Sequence, residues 1–293
     1  MSQNPLVTVI CICYNHEQYV VEALNSIRTQ TYRPIEIIIA DDASSDQSVS
    51  RIKTWLQTYP TAFIEHRHNV GNTKTFNEAF ALSKGEYIVD FAADDILLPN
   101  FIEAQVKQFQ NTKLQNVGVV FSNMEHVDET GSYLYHLYPI NSDGTAIKKP
   151  PIGFIYKNLV HSYFLSATAM MMTSKVLKEL GGYDEDLAYE DVDFWFRSSR
   201  NYAYDYVDKV LMQKREVPNS LSKNFKRRPG KTLALSTCKI CYKAFRMNQN
   251  KAEHDALKNR VCYELRLALK NRQTDVALRF AILLLNIELK LIF

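Results

Sequence analysis

The fold class is decided by residues 7–48, which read VTVICICYNHEQYVVEALNSIRTQTYRPIEIIIADDASSDQS. An apolar run of β-forming residues, 6–13, is followed by apolar positions at helical spacing in residues 14–30. A second apolar run, residues 35–40, again precedes a helical pattern. Short apolar runs that alternate with amphipathic segments are typical of βαβ units around a buried, mostly parallel sheet. The stretch therefore predicts an α/β fold.

The same alternation continues to about residue 120, with strands expected at 62–68 and 86–93 and helices at 73–85 and 100–110. The following residues predict a strand, a turn at Glu129 to Gly131, a second strand and a loop that covers the site. A further strand is expected in SATAMMMT, and then a Ser-capped helix that ends at Gly181.

The character of the sequence changes after about Pro229, where three helices are predicted at roughly 232–249, 252–271 and 274–291. The last helix is very apolar but carries Arg279, Glu288 and Lys290, so we do not expect it to cross a membrane. Packing on the rest of the chain or homodimer contact is favoured for residues 274–293, with peripheral membrane contact as the alternative.

Composition excludes several classes of protein. The 293 residues carry a formal net charge of only +3 with scattered Lys and Arg, so no nucleic-acid partner is expected. The polar opening MSQNP does not resemble a signal peptide, and we expect a cytoplasmic protein. Cys238, Cys241, His254 and Cys262 have a spacing that zinc could use, but they lie in helical patterns with apolar faces, so we expect no zinc site.

Polar clusters follow three of the predicted strands: CYNH after the first, DDASSD after the second and the pair Asp94–Asp95 after the fourth. In an open α/β sheet the ligand lies beyond the carboxyl ends of the strands. Each cluster alone could be an ordinary turn, because Asp and Ser favour turns. Three clusters at one sheet edge predict a binding site.

The adjacent carboxylates of Asp94 and Asp95 repel each other unless they are solvated, hydrogen-bonded or face a cation. The sequence contains neither of the Gly-rich phosphate-binding motifs, GxGxxG or GxxxxGK[ST]. A phosphate ligand then needs another source of positive charge. Mg²⁺ or Mn²⁺ held by one or two carboxylates, with phosphate oxygens and water as its other ligands, would supply that charge.

Three segments together resemble family 2 glycosyltransferases with the GT-A fold. They are the opening stretch 7–48, the segment GNTKTFNEAFALSKGEYIVDFAADD that leads into a D-x-D-type metal motif, and GGYDEDLAYEDVDFWFR with its E-D motif. The resemblance covers about residues 6–222. It implies a glycosyltransferase domain at 1–228, with a nucleotide-binding half at 1–120 and an acceptor half at 121–228, and a C-terminal helical region at 229–293.

The resemblance also implies roles for individual residues. Tyr14 would stack on the nucleobase with Asn15 beside it, and Asp42 would accept the ring N–H of uracil, thymine or guanine. Asp94 would contact the ribose or sugar side of a nucleoside-diphosphate sugar and share with Asp95 the binding of Mn²⁺ or Mg²⁺.

For the transfer itself, the resemblance implies that Asp191 takes the proton from the acceptor hydroxyl, with Glu190 as a neighbour that orients the acceptor or tunes the base. A single displacement inverts the anomeric centre. The expected function is transfer to a saccharide or lipid-linked saccharide in cell-surface polysaccharide synthesis.

One position departs from the family pattern, since Val217 stands where many relatives have a His. If that His helps to hold the metal or the diphosphate, Asn219, Ser220, Ser222 or Lys223 must replace it here. The seven His residues of the chain show no ligand-like spacing, and each is interpreted as a surface or loop residue.

Two alternative functions remain open. A sugar nucleotidyltransferase shares the doubly wound fold but should have a Gly-rich, basic stretch after its first strand, where this chain has CICYNHEQ. A non-catalytic sugar-nucleotide-binding or scaffold protein would need Tyr14 and Asp42 but neither Asp95 nor Asp191.

Overall fold

The computed structural model describes residues 4–217 and 230–292. Its strands are β1 Val7–Cys13, β2 Ile35–Asp41, β3 Ala62–Glu65, β4 Tyr87–Ala92, β5 Ile96–Leu97, β6 Val117–Val127, β7 Tyr133–His136, β8 Met170–Thr173 and β9 Ala203–Arg215. Its α-helices are α1 Val20–Arg28, α2 Ser48–Thr58, α3 Asn72–Leu82, α4 Phe101–Asn111, α5 Tyr156–His161, α6 Ser174–Leu180, α7 Asp191–Ser198, α8 Lys231–Met247, α9 Lys251–Lys270 and α10 Thr274–Ile292.

The chain divides into two compact units. The first comprises Met1–Phe154, Leu165–Tyr183 and Asn201–Val217, and the second comprises Ile155–Phe164, Asp184–Arg200 and Pro218–Phe293. The domain boundary predicted at residue 228 lies in 218–229, outside the described residues.

The first unit is built on one mixed sheet with the strand order β3-β2-β1-β4-β8-β6-β9-β5, and β7 pairs with β6. Strands β3, β2, β1 and β4 run parallel, and β9 is parallel to β6, so most paired positions are parallel. Every residue of β1 is buried, which explains its unbroken apolar run, since helices cover both faces of such a strand. The α/β prediction, with a mostly parallel mixed sheet flanked by helices, is confirmed.

The register of this sheet aligns the carboxyl ends of three strands. Cys13 of β1 pairs with Asp41 of β2, and Ile12 of β1 pairs with Ala92 of β4. The residues that follow these strands therefore emerge at the same sheet edge. The predicted convergence of the three polar clusters is confirmed.

One local prediction needs correction, and one strand was not predicted. Helix α6 is capped by Thr173, whose side-chain oxygen accepts a hydrogen bond from the Val176 N–H at 3.3 Å, and not by Ser174, which is its first helical residue. Its predicted end is confirmed, because Gly181 adopts the left-handed conformation with φ 71°. The long strand β9 was not predicted, although its apolar residues and its pairing with β6 make it part of the core.

The interpretation of every His as a surface or loop residue is wrong for two of them. His126 lies in strand β6 and is 5% exposed, and its Nδ1 lies 2.8 Å from Oε1 of Glu216. His254 lies in helix α9 and is also 5% exposed, with its ring 5.5 Å from that of Phe245. Each ring is covered by an aromatic or acidic neighbour, a context that sequence spacing does not reveal.

The second unit is helical in its described part, and the three predicted C-terminal helices correspond to α8, α9 and α10. Its interior contains Cys238 and Cys241 of α8, Leu257 of α9 and Phe280 of α10. The described residues include no helix with the length and apolar character that crossing a membrane requires.

Candidate active site

The loops after β1 and β2 are tied together by Asn15. Its backbone N–H donates to Oγ of Ser44 at 2.8 Å, and its side-chain Oδ1 accepts from the backbone N–H of Ser45 at 2.8 Å. Asn15 has φ 58°, a left-handed conformation that Asn tolerates better than most residues. These bonds fix the backbone beside Tyr14, whose side chain stays 47% exposed at the sheet edge.

A second layer of hydrogen bonds supports the same two loops from below. The backbone N–H of Glu17 donates to Oδ2 of Asp46 at 2.9 Å, and Oε2 of Glu17 accepts from the backbone N–H of Gln47 at 2.8 Å. The backbone N–H of His16 donates to Oγ of Ser48 at 2.9 Å. The exposed Tyr14 ring is therefore presented by a loop that the chain itself holds in place.

Asp42 is buried, with 3% exposure, and its carboxylate binds the loop that leads into α3. Oδ1 accepts from the backbone N–H of Val70 at 2.7 Å, and Oδ2 accepts from the backbone N–H of Gly71 at 3.0 Å. Nδ1 of His66 lies 3.3 Å from Oδ1. The family resemblance implied a nucleotide contact for Asp42. In the structure both of its oxygens accept hydrogen bonds from the backbone of the loop before α3.

The turn after β4 holds Asp94 and Asp95. The backbone N–H of Asp95 donates to the carbonyl of Ala92 at 3.1 Å, which closes the turn. Asp95 is 1% exposed, and its Oδ1 accepts from the backbone N–H of Arg215 at 2.9 Å. Among residues 4–217 and 230–292 its Oδ2 has no hydrogen-bond partner, although Nζ of Lys214 lies 3.8 Å away. The turn therefore presents a buried carboxylate oxygen that no other described residue uses as a hydrogen-bond acceptor.

The pKa of the Asp95 carboxyl is raised to about 7, mainly by burial and also by the neighbouring Asp94 charge. Lys214 and Arg215 oppose this shift, as does the hydrogen bond from the Arg215 backbone. The desolvated carboxylate is costly because its charge is only partly compensated. A cation bound at Oδ2 would complete that compensation.

Arg215, which is 5% exposed, holds the turn in place. Its Nε donates to the Asp94 carbonyl at 3.0 Å, Nη1 donates to the Glu129 carbonyl at 3.3 Å, and Nη2 donates to Oε2 of Glu22 at 2.8 Å. The guanidinium carbon also lies 4.6 Å from the ring centre of Tyr19. One buried cation thus joins the Asp94–Asp95 turn to α1 and to the hairpin between β6 and β7.

Asp94 is 9% exposed, and its Oδ2 lies 3.7 Å from Nε2 of His16. The other ring nitrogen of His16, Nδ1, is buried, and no described residue forms a hydrogen bond with it. His16 follows β1 and Asp94 follows β4, so this approach is a direct consequence of the parallel register. His16 was interpreted as a surface or loop residue, and it does lie in the loop after β1, where the structure brings it beside the carboxylate pair.

The carboxylates fit a divalent cation that is shared with a ligand. Within residues 4–217 and 230–292, no group of three or more His, Cys, Asp or Glu residues could hold a metal ion alone. Asp94 and Asp95 could supply one or two oxygen ligands, and the unpartnered Oδ2 of Asp95 is suited to that role. Mg²⁺ and Mn²⁺ sites on phosphate substrates have this character, because phosphate and water complete the shell.

The position of the expected family His is occupied by Val217, the last described residue before 218–229. Its predicted replacements, Asn219, Ser220, Ser222 and Lys223, lie outside the described residues. Lys214 and Arg215 were missed by sequence reasoning because β9 was missed. The available signal was a pair of basic residues at the end of a stretch rich in β-forming Tyr and Val, AYDYVDKVLMQKR.

Glu190 and Asp191 belong to the second unit, at the start of α7. Glu190 occupies the N-cap position without a hydrogen bond from its side chain to the helix, and Oδ1 of Asp191 accepts from the Val192 N–H at 2.7 Å. Negative charge is favourable at a helix N-terminus, so the position of Glu190 and Asp191 also suits a purely structural role. Burial raises the pKa of the Tyr163 hydroxyl well above its usual value, and Asp191 is among the charges that raise it further.

Asp193, in the same helix, is an acidic residue with a structural role. It is 1% exposed, and its two oxygens accept from Nε of Arg197 at 2.6 Å and from Nζ of Lys243 at 2.7 Å. Lys243 also pairs with Asp184. These contacts join helix α7 and Asp184 to helix α8, and they give Asp193 a structural role.

Comparison with known proteins decides the family. The sequence pattern of Glycosyl transferase family 2 matches residues 8–181. The uncharacterized glycosyltransferase MJ1057 of Methanocaldococcus jannaschii is 33% identical over 220 residues, which is 73% of this chain and 72% of that protein. The chain belongs to glycosyltransferase family 2. The family resemblance seen in the sequence is confirmed, and the protein is a glycosyltransferase.

Relatives of this family 2 glycosyltransferase differ in length. An uncharacterized glycosyltransferase of Rickettsia bellii is 28% identical over 214 residues, but the chain spans only 29% of its length.

Solved structures show that the fold is shared with GT-A enzymes, which confirms the predicted fold. S. aureus TarS 1–349 in complex with UDP-GlcNAc has a TM-score of 0.68 at 18% identity and covers 90% of this chain and 72% of that one. The mannosyltransferase PcManGT from Pyrobaculum calidifontis, in complex with GDP-Man and Mn²⁺, has a TM-score of 0.61 at 19% identity. It covers 96% of this chain and 74% of that one.

Proposed function

We propose that this family 2 glycosyltransferase transfers a sugar from a nucleoside-diphosphate sugar, in the first instance a UDP-sugar, to an acceptor hydroxyl, and that the transfer depends on a divalent metal ion. The observation that carries the proposal is the Asp94–Asp95 turn. The buried Oδ2 of Asp95 has no hydrogen-bond partner in the described part of the chain, and it lies at the sheet edge where the Tyr14 loop also ends. The UDP-GlcNAc bound by TarS and the GDP-Man and Mn²⁺ bound by PcManGT are consistent with such ligands.

Each residue of the first unit has a defined part in this proposal. The exposed Tyr14 ring offers a face on which a nucleobase stacks, and the Asn15 hydrogen bonds keep that ring in place. Asp95 would hold the metal through its carboxylate, with Asp94 as a second ligand or as the contact to the ribose or sugar. Mn²⁺ or Mg²⁺, when bound, neutralises charge on the departing diphosphate as a Lewis acid.

Asp42 can offer a ligand less hydrogen-bonding capacity than the sequence implied, because both of its oxygens already accept hydrogen bonds from the chain. Each of its oxygens accepts one backbone N–H and has a second lone pair, although Oδ1 also faces Nδ1 of His66 at 3.3 Å. We propose that a uracil, thymine or guanine ring N–H uses one of those lone pairs. The 3% exposure of Asp42 limits the approach to the edge of a flat base.

Asp191 is proposed as the base that removes the proton from the acceptor hydroxyl, and Glu190 as the residue that orients the acceptor. The support is the resemblance of EDVDFWFR to the family motif. Attack opposite the leaving diphosphate inverts the anomeric centre, so an α-linked donor gives a β-glycoside. We further propose a saccharide or lipid-linked saccharide acceptor in surface-polysaccharide synthesis at the cytoplasmic face of the membrane.

The test is a thermal-shift screen of UDP, GDP, dTDP and CDP, each with and without Mn²⁺. A ligand that binds only the folded state raises its stability by RT ln(1 + [L]/Kd), so the rise in Tm ranks the bases. We expect UDP with Mn²⁺ to give the largest shift and CDP the smallest. Equal shifts for all four nucleotides, or shifts that a chelator leaves unchanged, would contradict the proposal.

A further inference from the structure

Helix α10 has two apolar faces, of which the second unit covers one. Val276, Phe280, Leu283 and Ile287 follow each other at intervals of four, three and four residues, and each is at most 1% exposed. This spacing is that of one face of an α-helix. The buried face accounts for the predicted packing role of residues 274–293.

The opposite face of α10 carries a second stripe with the same spacing that stays in solvent. The relative exposures are 63% for Leu278, 47% for Ile282, 59% for Leu285 and 47% for Leu289. Single exposed apolar residues are ordinary on protein surfaces. Four on one helical face form a continuous apolar strip of about three turns, which is the kind of surface that marks an interaction site.

The C-terminal region that carries this strip has a positive net charge. Residues 230–293 contain 12 Lys and Arg against five Asp and Glu, a net charge of +7 in a chain whose total is +3. The two acids of α10 are already paired, Asp275 with Lys231 at 2.8 Å and Glu288 with Lys258 at 2.5 Å. Arg279 and Lys290, on the same helix, form no ion pair with an acid of the described part of the chain.

We propose that the exposed face of α10 docks on an anionic lipid bilayer, with Leu278, Ile282, Leu285 and Leu289 in the headgroup boundary and Arg279 and Lys290 at the lipid phosphates. An apolar strip with basic neighbours is the composition of helices that lie in a membrane interface. A second copy of the chain fits less well, because pairing two such faces would bring two regions of net charge +7 together. The inference does not depend on the proposed reaction.

Sedimentation of the full chain with lipid vesicles tests the proposal. We expect binding to vesicles of phosphatidylcholine that contain phosphatidylglycerol, and much weaker binding to phosphatidylcholine alone. Each Lys or Arg near an anionic surface contributes about fivefold to partitioning, so the double variant Arg279→Gln, Lys290→Gln should bind on the order of 20-fold more weakly. The double variant Ile282→Gln, Leu285→Gln should lose about tenfold or more.

Matched controls separate membrane docking from general surface effects. Leu82→Gln removes an apolar side chain of 53% exposure from the first unit, and Lys113→Gln removes an exposed cation there. Both should bind vesicles like the wild type. Equal binding by the α10 variants and the controls would overturn the proposal. The proposal would also be overturned if the wild type formed a dimer in sedimentation equilibrium but did not bind vesicles, and if the Ile282→Gln, Leu285→Gln variant abolished that dimer.

Discussion

Replacing Arg215 with Met should weaken both the fold and the metal site. The change removes every guanidinium hydrogen bond but keeps the length of the side chain and the backbone N–H that Asp95 accepts. The Asp94 carbonyl then loses a buried donor, which costs about 1–3 kcal/mol. The pair with Glu22 adds about 0–1 kcal/mol, because the Glu22 side chain is 58% exposed, and the Tyr19 contact adds about 1 kcal/mol.

The expected loss in the free energy of unfolding is therefore about 2–5 kcal/mol, measured by urea denaturation. Lys209→Met is the matched control, since Lys209 is an exposed cation of the same strand and its replacement should cost less than about 0.5 kcal/mol. A structural role alone predicts lost stability with unchanged Mn²⁺ dependence of nucleotide binding. Positioning of the Asp94–Asp95 turn predicts that more Mn²⁺ is needed for half-maximal binding well below the unfolding transition. This reasoning would be refuted if the free energies of unfolding of Arg215→Met and Lys209→Met differed by less than about 0.5 kcal/mol. An unchanged Mn²⁺ requirement for nucleotide binding in Arg215→Met would also refute it.

Three further outcomes are expected. Asp191→Asn should abolish Mn²⁺-dependent hydrolysis of nucleotide sugars, while Asp193→Asn should mainly lower stability; persistent turnover in Asp191→Asn would remove the base assignment. Gly182→Ala should lower Tm more than Gly181→Ala. Both positions have positive φ, but a Cβ at 182 would lie 2.5 Å from Oδ1 of Asn77, whereas a Cβ at 181 would meet open space. Equal losses of Tm in the two variants would contradict the predicted clash. Burial raises the pKa of Asp184, but hydrogen bonds from Lys243 and the Asp186 backbone lower it below its usual value overall. A carboxyl of lowered pKa stabilises the fold above its unfolded pKa, so the advantage of the wild type over Asp184→Asn should be present at pH 7 and shrink below about pH 4; an advantage independent of pH would contradict this.

The sequence was sufficient where local pattern and tertiary environment agree. The apolar runs of β1, β2 and β4 are buried in parallel strands, and their register alone brings the Tyr14, Asp42 and Asp94 segments to one edge. The three C-terminal helices were predicted within a few residues because their apolar positions recur at helical spacing.

The missed features depend on contacts between distant segments. Arg215 reaches Glu22 and Asp94, which lie 193 and 121 residues away, so no local pattern reveals its role. His16 could be linked to Asp94 only through the register of β1 and β4. Asp42 was expected to face a ligand, but its carboxylate also holds the loop at Val70 and Gly71, a contact 28 residues along the chain.

Titration calorimetry of UDP with and without Mn²⁺ is the most direct test of the metal site at Asp95. For the wild type we expect Mn²⁺ to raise the affinity for UDP at least about tenfold, and for Asp95→Asn we expect no such gain. Asp143→Asn, which changes an exposed Asp in the loop before α5, should behave like the wild type. UDP that binds the wild type equally well in Mn²⁺ and in chelator would contradict a metal bridge between the Asp94–Asp95 turn and the diphosphate.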